Sequence, residues 1–129
     1  MKLTKREDRG VVVVDVRGKF FGSPENWETF HRFFKTLLDE GKKNVVVNLR
    51  HTPYTNSQGL GMLIGAHASI SNAGGELVLS HVVDRINSIL TVTRLLLIFK
   101  AFESDEEAVD YLLERANGGR DIRVEVSVY

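Results

Sequence analysis

The stretch that decides the fold is "NVVVNLRHTPYTNSQGLGMLIGAHASISNAGGELVLS", residues 44–80. It opens on a short apolar run, Asn44 to Leu49, rich in the β-branched residues that favour a strand. A polar loop follows, in which Pro53 keeps Thr52 out of helical geometry. From Ser57 the apolar residues return at helical spacing. Leu60, Leu63, Ile64, His67 and Ile70 share one face; Gly59, Met62, Ala66 and Ser69 share another. Asn72 to Gly75 stops the helix, and "ELVLS" (76–80) is the next strand. A strand, a helix and a strand in this order form a crossover between parallel strands.

The same alternation extends in both directions. Upstream, "GVVVVDVRG" (10–18) is nearly continuous in valine, the pattern of a strand covered on both faces. The preceding "KLTKRED" (2–8) alternates weakly and suits an edge strand paired to it. Between them and Asn44, "SPENWETFHRFFKTLLDEGKK" (23–43) is punctuated as a helix. Ser23 can cap, Pro24 suits the first helical position, and Gly41 suits the residue beyond the end. Trp27, Phe30, Phe33, Phe34, Leu37 and Leu38 form its apolar stripe, the pattern of a helix packed on a sheet.

Downstream, "DRINSILTVTRL" (84–95) predicts a helix with Ile86, Ile89 and Leu90 inward. "LLIFKAF" (96–102) predicts a short strand or extended segment. Ser104 and Glu107 have the spacing of a capping box, opening a helix that Gly118-Gly119 ends. Beyond that break, Ile122, Val124, Val126 and Val128 alternate with polar residues. That pattern predicts an extra edge strand over 120–129, on this sheet or on that of a second copy as a homodimer. The expectation is an α/β fold with a mixed, mostly parallel sheet and about four helices. Residues 1–117 would form the domain and 118–129 a hinge and edge strand.

Bulk properties narrow the function. The chain has 129 residues, suiting one domain, and no cysteine, which excludes a disulfide framework, a thiolate metal site and a cysteine nucleophile. Lys plus Arg and Asp plus Glu are 17 each, so nothing favours nucleic acid. The apolar run Leu95–Phe99 is far shorter than a membrane span, and Met1-Lys2 is not followed by an apolar leader. The expectation is a cytoplasmic protein without membrane insertion.

Catalytic patterns fail on spacing. A Gly-x-Ser-x-Gly elbow around Ser57 would need glycine where Thr55 stands. A dinucleotide fingerprint from Gly59 and Gly61 would need glycine at Ile64. A Walker A motif is absent, and His31, His51, His67 and His81 lack metal-ligand spacing. No catalytic residue, metal or cofactor is assigned. What remains is Ser57 itself. With Asn56 as N-cap, Ser57 is the first helical residue, where free backbone N–H groups and the positive end of the helix dipole converge. A phosphate there would be tolerated locally and would add nearly two negative charges to a surface of small residues. The residues alone leave two readings open, a plain serine in a helix cap or a modification site.

At this point the chain resembles the STAS domain of bacterial anti-sigma factor antagonists, from about Val11 to Leu113. The features that carry the likeness are the "VVVNL" strand, the short loop, the Asn56-Ser57-Gln58-Gly59-Leu60-Gly61 motif opening a helix, then Gly74-Gly75 and a strand. The family motif is Asp-Ser-Ser/Thr-Gly-Leu-Gly, so Asn56 stands for Asp and Gln58 for a small hydroxyl residue. The loop after Gly18 lacks an acidic residue common in the family, and Arg94 stands where glycine is common. The resemblance implies a non-enzymatic switch. Its partner is an anti-sigma factor that is also a serine kinase, and a serine phosphatase reverses the modification at the position of Ser57. The implied docking surface comprises Tyr54, Thr55, Asn56, Ser57, Gln58, Gly59, Gly61 and Met62. Two other readings stand beside it. One is a STAS module docked constitutively in a lipid-transport or signalling complex, favoured by Asn56 and Gln58. The other is a nucleotide or small-molecule module using the helix N-terminus as an anion site.

Overall fold

The valine run at 11–14 organises the molecule. In a computed structural model that describes residues 1–126, with side chains described for 1–116, Val11, Val12, Val13, Val14 and Val16 are all essentially solvent-free. They form β2 (Val11–Arg17), which pairs antiparallel with β1 (Lys2–Asp8) and parallel with β3 (Asn44–Asn48). Arg9 and Gly10 close the β1–β2 hairpin with φ of 53° and 88°, the doubly left-handed turn that matches strand twist. β4 (Glu76–Ser80) continues the sheet in parallel, and β5 (Ala101–Phe102) ends it, giving the order β1-β2-β3-β4-β5. The mixed, mostly parallel five-stranded sheet is as the sequence pattern predicts.

Side chains alternate between the two sheet faces, and each face meets its own helices. Val12, Val14, Val45, Val47, Leu77 and Leu79 face α1 (Pro24–Asp39), α2 (Ser57–Asn72) and α3 (Asp84–Val92). Val11, Val13, Val46 and Val78 face α4 (Asp105–Val126), through Ala108, Val109 and Leu112. All three crossover helices therefore lie on one face and α4 covers the other. Residues 45–48 and 77–80 are buried on both sides for this reason.

The expected caps form. The Ser23 hydroxyl accepts the Asn26 N–H at 3.1 Å, with Pro24 next in the first turn, and Gly41 takes φ 78° just past α1. Ser104 accepts the Glu107 N–H at 3.1 Å at the start of α4. Gly75 is required by contact, because a Cβ there would come within 1.7 Å of the Lys43 carbonyl oxygen.

Two expectations are corrected. The segment expected as a short strand or extended segment over 96–102 opens in a 3₁₀ turn, Leu95–Leu97, and is strand only at Ala101–Phe102. Its burial is not alternating: Leu95 and Phe99 are inward, one helical turn apart, while Leu97 is 84% exposed. Arg94 ends α3 in the left-handed region, φ 62°, a conformation that costs a non-glycine residue about 1 kcal/mol. That geometry explains why glycine suits this position. The strand expected from residue 120 is absent from the sheet: α4 runs through Gly118-Gly119 to Val126, and residues 127–129 lie outside the described residues. Two glycines weaken a helix by about 1 kcal/mol each without forbidding it. An alternating pattern selects a strand only where an edge pairs with it. The C-terminal strand expected to carry the homodimer is not found among the described residues.

A polar staple ties the α4 side together. Buried Asn48 and Ser80, at the carboxyl ends of β3 and β4, both donate to Asp105 at the start of α4. The distances are 3.0 Å from Asn48 to each carboxylate oxygen and 2.6 Å from Ser80. Arg6 of β1 adds a 3.1 Å ion pair. Burial pushes the Asp105 carboxyl up, but the hydrogen bonds from Ser80, Asn48 and Arg6, with His81 nearby, outweigh it and hold it below the usual carboxylate range. A carboxyl depressed in the folded state stabilises the fold above its unfolded pKa near 4, and that stabilisation is lost as pH falls through the folded value. Asp105→Asn is therefore expected to lower unfolding stability near neutral pH. In urea melts against pH, the gap from the wild type should close below about pH 4. A gap independent of pH would contradict a role for the charge.

Candidate functional site

The loop that carries Ser57 is held by its threonines. Thr52 donates its hydroxyl to the Val16 carbonyl at 2.8 Å, and Thr55 donates to the Phe20 carbonyl at 2.7 Å. Both threonines are fully buried. Two backbone bonds of 2.9 Å lie between them, from the Gly18 N–H to the His51 carbonyl and from the Phe20 N–H to the Tyr54 carbonyl. The loop after β2 and the loop after β3 thus run side by side as a short parallel extension of the sheet, with Phe20 and Thr55 bridged.

α2 starts against this seam. Asn56 caps it, its side-chain oxygen accepting the Gly59 N–H at 2.9 Å while its carbonyl accepts the Leu60 N–H. The first-turn N–H groups of Ser57 and Gln58 are left at the helix end. Gly59 lies directly on the seam: a Cβ there would sit 2.0 Å from the Phe20 carbonyl oxygen and 2.3 Å from the Thr55 hydroxyl. Gln58 lies on Gly22, where a Cβ would come within 2.5 Å of the Gln58 Cβ. Ser57, the first residue of α2, is exposed, and its hydroxyl is 3.3 Å from the Gln58 side-chain oxygen. Beside it Tyr54 is 40% exposed, edge-on to Phe21 at 5.6 Å, with the Arg85 guanidinium 5.9 Å from its ring centre.

The expected docking residues therefore divide. Tyr54, Ser57 and Gln58 are exposed, and Asn56 and Gly61 are half-buried. Thr55, Gly59 and Met62 are buried. Met62 is inward because α2 is packed on two sides, by the sheet and by α1, so both of its apolar stripes are used. Ile64, expected inward, is 38% exposed on the outer side. Phe20, Phe21, Gly22 and Arg85 belong to the site's construction and were missed. Their signal is faint in sequence, a Phe-Phe-Gly run shortly after the Gly18 turn.

The site's surroundings are basic. Arg50 reaches both ring nitrogens of His81 at 3.1 and 2.9 Å, and Arg50, His51 and Arg85 line an open hollow beside Pro53. The strand order β2-β3-β4-β5 never reverses, so it lacks the crevice at which open α/β sheets hold nucleotides. Among the described residues no group of three His, Cys, Asp or Glu side chains is placed to hold a metal, and no helix is long and apolar enough to cross a membrane.

Comparison with known proteins fits this geometry. The STAS domain family matches residues 2–108. A Bordetella bronchiseptica protein named as a candidate anti-sigma factor antagonist, BtrV, is 26% identical over 84% of this chain and 91% of its own. Two solved structures share the fold. The phosphorylated form of SpoIIAA, a Bacillus cell fate determinant, aligns with TM-score 0.66 at 17% identity, over 85% of this chain and 98% of that one. The STAS domain of a Vibrio cholerae SulP transporter aligns with TM-score 0.70 at 15% identity, over 88% of each chain.

The two helical glycines Gly59 and Gly65 make a paired test of the seam. At Gly65 a Cβ meets nothing within 4 Å, so Gly65→Ala is expected to stabilise the protein by up to about 1 kcal/mol, the ordinary helix-propensity gain. Gly59→Ala is expected to reverse that sign and cost at least about 2 kcal/mol, because backbone must move. Urea unfolding of the two variants decides it, and equal effects would remove the seam as a constraint on the site.

Proposed function

The chain belongs to the STAS domain family, and we propose that it acts there as a non-enzymatic antagonist of an anti-sigma factor, docking it through the surface around Ser57. The observation that carries this reading is the placement of Ser57. It is exposed on the first residue of α2, while every neighbour beneath it is fixed by buried hydrogen bonds and glycine contacts. The partner contacts are Tyr54, Asn56, Ser57, Gln58 and Gly61, a low polar patch with one aromatic ring. In the unphosphorylated chain the patch docks the anti-sigma factor, which is also a serine kinase. The kinase moves the terminal phosphoryl group of ATP to the Ser57 oxygen and releases ADP, the hydroxyl proton leaving to a base. A phosphatase returns the hydroxyl by hydrolysis.

The physical chemistry supports a switch that spares the fold. A phosphate at Ser57 carries about −1.5 to −2 charges and would lie over the helix N-terminus and its free N–H groups, where anions are favoured. It therefore leaves α2 in place. A docked partner, by contrast, would have to accommodate that charge and its bulk and desolvate both. The BtrV name and the phosphorylated SpoIIAA structure agree with this reading.

A second reading rests on Asn56 and Gln58. Asn56 caps α2 without supplying a charge next to the acceptor, and Gln58 takes up space beside the hydroxyl. A module docked constitutively needs no accessible acceptor, and the same fold is found in a transporter's STAS domain. Incubation with the cognate ATP-dependent kinase, followed by intact mass, separates the two. The switch predicts one phosphate-sized increase, absent in Ser57→Ala. No increase, or one that persists in Ser57→Ala, would favour constitutive docking.

A further inference from the structure

An apolar hollow lies between α1 and α2, lined by neither Ser57 nor Tyr54. It has a volume of about 250 Å³. Its walls are Trp27, Phe30, Phe34 and Leu38 of α1 and Met62, Gly65 and Ala66 of α2. An apolar cavity of about 150 Å³ is enough for benzene, so a larger group has room here. The hollow has a definite cause. Trp27 stands 42% exposed, its ring only 3.4 Å from where a Cβ of Gly61 would be. One turn on, at Gly65, that contact ends and nothing lies within 4 Å of a Cβ position. The small residues of α2 thus open a gap that the aromatic side chains of α1 wall but do not fill.

Lys35 is the one side chain in the hollow's lining with a full charge, and His31 and Ser69 are the other polar ones. Lys35 is paired with Asp39 at 3.4 Å, but both side chains are about two-thirds exposed, so the pair is weak and exchangeable. Apolar walls with a few polar groups at one end are the pattern of a site for a small amphiphile. We propose that this groove binds a single-chain carboxylate amphiphile, its alkyl chain between Trp27 and Gly65 and its carboxylate at Lys35 and Ser69. The site does not depend on the function assigned to Ser57.

Trp27 is the sole tryptophan in the chain, so the groove carries its own reporter. The full chain is titrated with decanoate below its micelle concentration, and separately with decanol. Expected is a saturable blue shift of Trp27 emission, with decanoate binding about three- to fivefold more tightly than decanol, the gain of an exposed ion pair. Lys35→Gln should erase that difference and leave decanol binding unchanged. Gly65→Leu fills the gap and should weaken both ligands at least about tenfold. Ser69→Leu, at the exposed rim, serves the same purpose if Gly65→Leu does not fold. Amide shift mapping should place the perturbation on residues 27–38 and 62–69. Absence of a saturable shift, unchanged binding in the folded filling variant, equal affinity for decanol and decanoate, or a perturbation elsewhere would each overturn the proposal.

Discussion

The carbonyl oxygen of Phe20 is the point on which the rest of the site depends. It accepts the buried Thr55 hydroxyl at 2.7 Å, and the bare α-carbon of Gly59 rests against it. A buried carbonyl left without its donor would cost about 1–3 kcal/mol, so the loop cannot lift away cheaply. With the Thr52–Val16 bond and the two loop-to-loop backbone bonds, it ties the end of β2 to the loop after β3. The start of α2 has one available position. Ser57 is consequently exposed but not loose: its backbone is set from beneath by residues that no partner can touch.

The other face of the sheet shows a related economy. Asn48 and Ser80 end two buried strands in polar groups that cannot reach water, and Asp105 satisfies both while opening α4. Its charge also lies at the positive end of that helix. Between these two polar fastenings the sheet is valine and leucine, covered by three helices on one side and one on the other. The carboxyl ends of the strands are therefore fastened, and the loops they carry form the proposed docking surface.

Much of this was legible in the sequence because the signals were local. Ser23-Pro24, Gly41 and Asn56 announce helix ends by their own chemistry, and the valine runs announce doubly covered strands. The position of Ser57 as first helical residue followed from Asn56 alone. What was not legible depended on distant partners. Thr55 and Met62 look like surface residues of a loop and a helix start until the β2 loop and α1 are placed over them. The segment 96–102 reads as a short strand or extended chain, but Arg94, left-handed after α3, leads into a 3₁₀ turn first. The stretch 120–126 carries a strand's alternation but is a continuation of α4. Phe20, Phe21 and Gly22 became site residues only through tertiary contact.

In the proposed function, the fixed, exposed serine belongs to a recognition surface that one charged group would close without unfolding the protein. The departures at Asn56 and Gln58 change the acceptor's surroundings and leave the support beneath it intact. The most direct measurement is the affinity of this chain for its anti-sigma partner before and after quantitative phosphorylation of Ser57, with circular dichroism of both forms. A switch requires unchanged secondary structure and at least about a tenfold loss of affinity, or about 1.4 kcal/mol. Equal affinity of the two forms would contradict the account.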